Sequence, residues 1–189
     1  MSHPARAIRL LVLDVDGVLT DGSIWVGQDG YELKRFHVRD GLGIKMWIKL
    51  GFHVAVISGR SSAAVQHRMD ELGVAMVYQG VHDKVLCLSE ILDRTGLSLE
   101  QTAYIGDDWP DHAAMRRVGM AVAVADAEEP VRKAASFVTT RRGGEGAVRE
   151  AIDFLLKHKG TTEQVRHDAG ADGADLSASR AGDGDALPM

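Results

Sequence analysis

Arg9 apart, Ile8 to Leu13 is an unbroken apolar run, and it stops abruptly at Asp14-Val15-Asp16-Gly17. Such a run, with no polar alternation, fits a strand buried on both faces, as in a parallel sheet covered by helices. Gly17 tolerates positive φ and lets the chain leave the sheet sharply after the two carboxylates. In open α/β sheets ligands bind beyond the carboxyl ends of the strands, which is where Asp14 and Asp16 fall. Taken alone, aspartates at a strand end also suit an ordinary turn.

The rest of the chain repeats the pattern. Asp29-Gly30, between the segments 23–26 and 31–36, signals a β-hairpin that could project over the first strand end as a flap. Asp40 is placed to cap a helix with Ile44, Trp47 and Ile48 on one face. Strands are expected at 52–57, 74–78, 102–105 and 120–124, with a possible edge strand at 137–139. Helices are expected between them and over 147–157. Strands alternating with helices predict an α/β, doubly wound (Rossmann-like) three-layer sandwich with a central parallel sheet. Residues 1–160 form its one domain. Residues 161–189 are rich in Gly, Ala, Asp and Ser with almost no large apolar side chains, and are expected to be a disordered polar tail.

Composition narrows the functions. The net charge is −5 with no basic stripe, which argues against a nucleic-acid binder. Cys87 is the only cysteine, so an internal disulfide and a multi-cysteine metal site are excluded. The absence of a long apolar run or a signal-peptide core predicts a cytoplasmic protein with no membrane partner. A glycine-rich dinucleotide turn does not follow the first strand, and no GxxxxGK segment is present.

Ser58-Gly59-Arg60, Lys84, and Gly106-Asp107-Asp108 with Asp111 all fall at or just beyond the ends of later predicted strands. A doubly wound sheet gathers such positions along one edge. Together with Asp14-Val15-Asp16-Gly17-Val18-Leu19-Thr20, this ordered set resembles the four motifs of the haloacid dehalogenase superfamily of phosphatases. The likeness spans residues 8 to 158. Phe36-x-Val38-Arg39-Asp40-Gly41, Gly80-x-x-Asp83-Lys84 and Gly143-Gly144-x-Gly146 are similar to the capless group acting on 3-deoxy-D-manno-octulosonate 8-phosphate. Only a hairpin and one helix separate Asp16 from Ser58, in keeping with no cap domain.

The resemblance implies Asp14 as nucleophile, forming an aspartyl-phosphate, and Asp16 as general acid and base. It also implies Ser58 and Lys84 as catalytic partners, with Gly59 joining them in holding the phosphoryl group. A carboxylate about 4 Å from one unit of phosphate charge is repelled by roughly 4 kcal/mol at an effective dielectric of 20. Lys84 alone does not offset this for a dianion, so a divalent cation is expected. The donors at hand are oxygens, which selects Mg²⁺. Its ligands, by the family pattern, are Asp14, the carbonyl of Asp16, Asp107, and Asp111 through water, with Asp108 a candidate to orient Lys84.

A sugar acid phosphate carries a second anion. Arg60 is the first candidate to meet it, then Arg39, Lys34 and Arg35, though each suits a plain surface cation too. Arg141 and Arg142, ahead of the 143–146 glycines, could reach a neighbouring site. The resembled group closes its open site by forming a homotetramer, which implies an active site near a subunit interface. The expected activity is hydrolysis of the octulosonate phosphate, in lipopolysaccharide precursor synthesis. The alternatives are a nonulosonate 9-phosphate phosphatase or a non-catalytic regulatory domain.

Overall fold

The structure is a computed structural model and describes residues 3–161. The tail expected over 161–189 lies outside the described residues, except for Thr161. That residue's N–H still bonds Leu156 O at the end of the last helix.

β1 (Leu10–Leu13) has no exposed surface at any of its four residues. It pairs in parallel with β4 (His53–Ile57) on one side and β6 (Thr102–Gly106) on the other. With β5 (Met76–Tyr78), β7 (Met120–Ala123) and β8 (Phe137–Val138), these make a six-stranded parallel sheet in the order β5-β4-β1-β6-β7-β8. The chain therefore winds outward from β1 in one direction, then returns to build the other half. The expected α/β doubly wound sandwich is what forms, and its topological switch lies beside β1, where a ligand crevice opens.

The helices are α1 (Val38–Lys49), α2 (Ala63–Leu72), α3 (Lys84–Thr95), α4 (Trp109–Met115), α5 (Glu129–Ala134) and α6 (Ala147–Lys159). α1 packs on α6 and α2, while α4 packs on α3 and α5. Right-handed crossovers put these two groups on opposite faces of the sheet. Between β1 and α1, β2 (Trp25–Val26) and β3 (Glu32–Leu33) pair as the antiparallel hairpin foreseen around Asp29-Gly30. Among the described residues no helix is long and apolar enough to cross a membrane.

One expectation fails in an instructive way. Asp40 does not cap α1. That position is His37, whose Nδ1 accepts the Arg39 N–H at 3.2 Å. Asp40 lies buried inside the first turn, and its Oδ1 accepts the Arg149 N–H at 2.7 Å. Arg149 is in the first turn of α6, whose own cap residue, Gly146, has no side chain to offer. The carboxylate thus caps a different helix, because α1 and α6 pack side by side. Burial pushes the Asp40 carboxyl above its usual range, against these hydrogen bonds.

Replacing Asp40 with Ala should cost about 1–2 kcal/mol of stability. Asn keeps an acceptor and should cost less than half as much. Urea unfolding of both variants checks this, and equal losses would contradict the capping role.

Candidate active site

Strand register decides which side chains meet. Leu13 lies beside Val56 and Ile105, so Asp14 is level with Ile57 and Gly106. Ser58 and Asp107 then fall one residue beyond, at the same rim of the sheet. The Asp14 N–H still bonds Ile105 O at 3.1 Å, which fixes the backbone of that carboxylate as an extension of β1. Asp83 caps α3 through its Oδ1, receiving the Val85 and Leu86 N–H groups. This cap starts the helix so that Lys84, its first residue, turns inward.

Lys84 is buried, and its Nζ lies 2.7 Å from Asp14 Oδ1 and 2.7 Å from Asp111 Oδ1. One ammonium therefore serves two carboxylates, and their fields hold its pKa above the usual value despite burial. Asp111 also accepts the Tyr104 hydroxyl at 2.8 Å and, through Oδ2, the Asp107 N–H at 3.2 Å. Oxygens of Asp14, Asp107 and Asp111 lie within 4.8 Å of one another. Three carboxylates share one lysine. Burial, then the charge of Asp111, raises the Asp14 pKa to about 7. Burial, then the charge of Asp14, raises that of Asp107 to about 8.

This cluster is short of positive charge. Asp107 Oδ1 is buried and has no hydrogen-bond partner among the described residues, an arrangement that costs free energy unless something else binds there. An all-oxygen donor set built from carboxylates suits a hard divalent cation such as Mg²⁺. Asp14 and Asp107 fit its direct ligands. Asp111 has both oxygens engaged by protein donors, which suits a role at one remove.

The neighbouring residues sort clearly. The Ser58 N–H bonds Tyr78 O, and its Oγ accepts the Arg60 N–H, so its hydroxyl proton remains for a ligand. At Gly59 an added Cβ would meet nothing nearer than Val81 O at 3.7 Å, so the backbone there is open to close approach. Asp16 is partly exposed beside this cluster, contacted by Lys34 and, at 3.7 Å, by Arg60. Asp108, a candidate to orient Lys84, instead caps α4 by accepting the Trp109 N–H. Arg39 is not brought to the cluster. It lines a separate cavity of about 550 Å³ with Leu42, Arg141, Arg149, Glu150 and Asp153.

Within the 141–146 segment Arg141 and Arg142 are exposed, whereas Gly143 and Gly144 are buried. Gly143 and Gly144 pack beneath the loop that follows Asp16, with Gly144 N–H bonding Val18 O. A Cβ on Gly143 would come within 1.7 Å of Gly17 O, and a Cβ on Gly17 within 2.0 Å of Asp107 Oδ2. Tyr104, Glu32 and Lys34 complete the surroundings. A tyrosine inside a wholly buried strand needs a partner for its hydroxyl, and that was the available signal for Tyr104.

The raised carboxyl values set a pH dependence. Without metal, the folded chain keeps protons on Asp14 and Asp107 up to about 7 and 8. The unfolded chain releases them near 4. The stability associated with those protons is therefore complete below the unfolded value and is lost as pH rises through 7–8. A cation displaces the same protons, so added Mg²⁺ should raise Tm more at pH 8.5 than at pH 6. At a hundredfold excess over Kd the gain is about 2.7 kcal/mol, or roughly 5–10 °C. Scanning calorimetry at both pH values tests this; equal increments would contradict it.

Known proteins resemble this chain in sequence and in fold. The haloacid dehalogenase-like hydrolase family matches residues 73–152. The 3-deoxy-D-manno-octulosonate 8-phosphate phosphatase KdsC of Escherichia coli K12 is 44% identical over 162 residues, 86% of each chain. The crystal structure of that phosphatase from Yersinia pestis superposes with a TM-score of 0.84 at 45% identity, covering 85% of this chain and 86% of that one. The Moraxella catarrhalis phosphatase, solved with magnesium, phosphate and KDO, gives 0.85 at 39% identity, covering 87% and 95%. Sheet, rim and sequence lead to one assignment: the chain belongs to the 3-deoxy-D-manno-octulosonate 8-phosphate phosphatase family of haloacid dehalogenase-like hydrolases.

Proposed function

We propose that the protein is a Mg²⁺-dependent phosphatase that hydrolyses 3-deoxy-D-manno-octulosonate 8-phosphate to the sugar acid and phosphate. The observation that carries this reading is the buried Asp14–Lys84–Asp111 pairing beside Asp107, whose Oδ1 lacks a partner. Its relatives carry that substrate in their names, and one is solved with magnesium, phosphate and KDO. The product would feed lipopolysaccharide precursor synthesis, and we place the reaction in the cytoplasm.

In this reading Asp14 attacks phosphorus, and the bond to the sugar oxygen breaks. Asp16 gives its proton to the departing alkoxide, then takes one from the water that cleaves the aspartyl-phosphate. Lys84 holds Asp14 in line and offsets charge on the phosphoryl oxygens, and Asp111 holds Lys84. The Ser58 hydroxyl and the Gly59 N–H grip the transferring group. Asp14, Asp107 and the Asp16 carbonyl would hold Mg²⁺, with Asp111 acting through water, and the ion would lower the repulsion between carboxylate and phosphate. Arg60, at the rim, is the cation available to the substrate's carboxylate.

The site is open, and the hairpin beside it exposes Ile24, Trp25 and Val26 by 52–67%. An apolar patch of this kind suits burial against further copies of the chain, and we read the working form as a homotetramer with the site near an interface.

Phosphate release tests the function. The octulosonate 8-phosphate should be preferred over its nine-carbon relative and over neutral sugar phosphates, and only with Mg²⁺. Asp14→Asn should lower kcat by at least about 10³-fold. Equal rates across the substrates would reject the assignment, and retained activity in Asp14→Asn would reject the mechanism.

A further inference from the structure

β3 presents two different faces. Strand alternation sends Glu32 and Lys34 toward Asp16, while Leu33 between them is 54% exposed. The Lys34 side chain is almost wholly buried, and its ammonium contacts both Asp16 Oδ1 and Glu32 Oε1, the latter at 2.9 Å. Arg60 closes the set from the end of β4. Its Nη2 lies 2.6 Å from Glu32 Oε2, and its Nε lies 3.7 Å from Asp16 Oδ2. Two cations and two carboxylates thus form a ring at the mouth of the site.

The four members are not held equally. Asp16 belongs to a loop backed by Gly143 and Gly144, and Arg60 stands three residues beyond the end of the core strand β4. Glu32 stands on a hairpin whose strands are two residues long. Its Oε1 is buried and, among the described residues, has the Lys34 ammonium 2.9 Å away as an ion-pair partner but no hydrogen bond. Glu32 is the member most easily displaced. What replaces a carboxylate between a lysine and an arginine is another carboxylate.

We propose that Glu32 is a built-in placeholder for the substrate's carboxylate, occupying Arg60 and Lys34 until an acidic sugar phosphate displaces it. A neutral sugar phosphate offers no anion to exchange for Glu32 and leaves the ring closed. The acidic substrate alone reaches Arg60 and Lys34, and it does so by displacing a competing carboxylate. This rests on the functional reading above and extends it to Glu32 and Lys34 as specificity-determining residues.

The test compares kcat/KM for 3-deoxy-D-manno-octulosonate 8-phosphate with that for fructose 6-phosphate, in the full chain. Glu32→Gln should raise the acidic-to-neutral ratio about tenfold, chiefly by lowering KM for the acidic substrate, whose carboxylate no longer competes with Glu32 for Arg60 and Lys34. Lys34→Met should raise KM for the acidic substrate about tenfold with a smaller change in kcat, and Lys34→Arg should recover most of it. Should Glu32→Gln fail to fold, Glu32→Asp, which keeps the charge but shortens its reach, should shift the ratio in the same direction. A wild-type chain with no preference for the acidic substrate would sink the functional reading. An acidic-to-neutral ratio that is unchanged or lowered in the folded Glu32 variant overturns the placeholder.

Discussion

The double ion pair of Lys84 with Asp14 and Asp111 is the contact on which the rest of the structure turns. Burying three carboxylates at one sheet edge is unfavourable, and a single lysine leaves the set incompletely balanced. The imbalance is what gives the site its chemistry. It leaves Asp107 with an oxygen seeking a cation, and it keeps Asp14 and Asp107 at pKa values of about 7 and 8. A fully compensated cluster would be more stable and would have nothing left with which to draw in metal or phosphate. Stability is given up locally for function, and the surrounding sheet, with β1 buried along its whole length, supplies the margin.

Precision at this edge comes from backbone packing as much as from charge. Gly17 admits the Asp107 carboxylate, and Gly143 lies directly against the Gly17 carbonyl. Asp126 holds the second loop in place by accepting the Gly143 N–H at 3.0 Å and pairing with Arg142. The loop carrying Asp16 is therefore seated on another loop, with contacts too close for any side chain to intervene. Asp40 adds a further tie by capping α6, the helix that follows those glycines.

The sheet edge was legible because its signals are local. Each motif sits at the end of its own apolar run, and a parallel sheet collects strand ends whatever the details of packing. Asp14, Ser58, Lys84, Asp107 and Asp111 could all be placed in this way. What could not be read depended on which elements become neighbours. Asp40 looks like a cap for its own helix because the packing of α6 is invisible in the local sequence. Asp108 and Asp111 are equivalent on the page, and only the pitch of α4 sends Asp111 toward Lys84. Arg39 belongs to the Phe36–Gly41 motif, yet α1 carries it to a different cavity. Lys34 reads only as one of several candidate cations for the substrate and Glu32 is not singled out, because their burial depends on how the hairpin folds back over Asp16.

The seating of Gly17 on Gly143 also bears on how the protein is made. β1 and the Asp16 loop are synthesised well before their backing loop, which follows all six strands of the sheet. The strands can therefore pair as synthesis proceeds, whereas the catalytic loop gains this backing only when residues 143–144 are added. A nascent chain with most of its strands formed therefore cannot hold Asp16 where the reaction needs it. Competence arrives late and all at once.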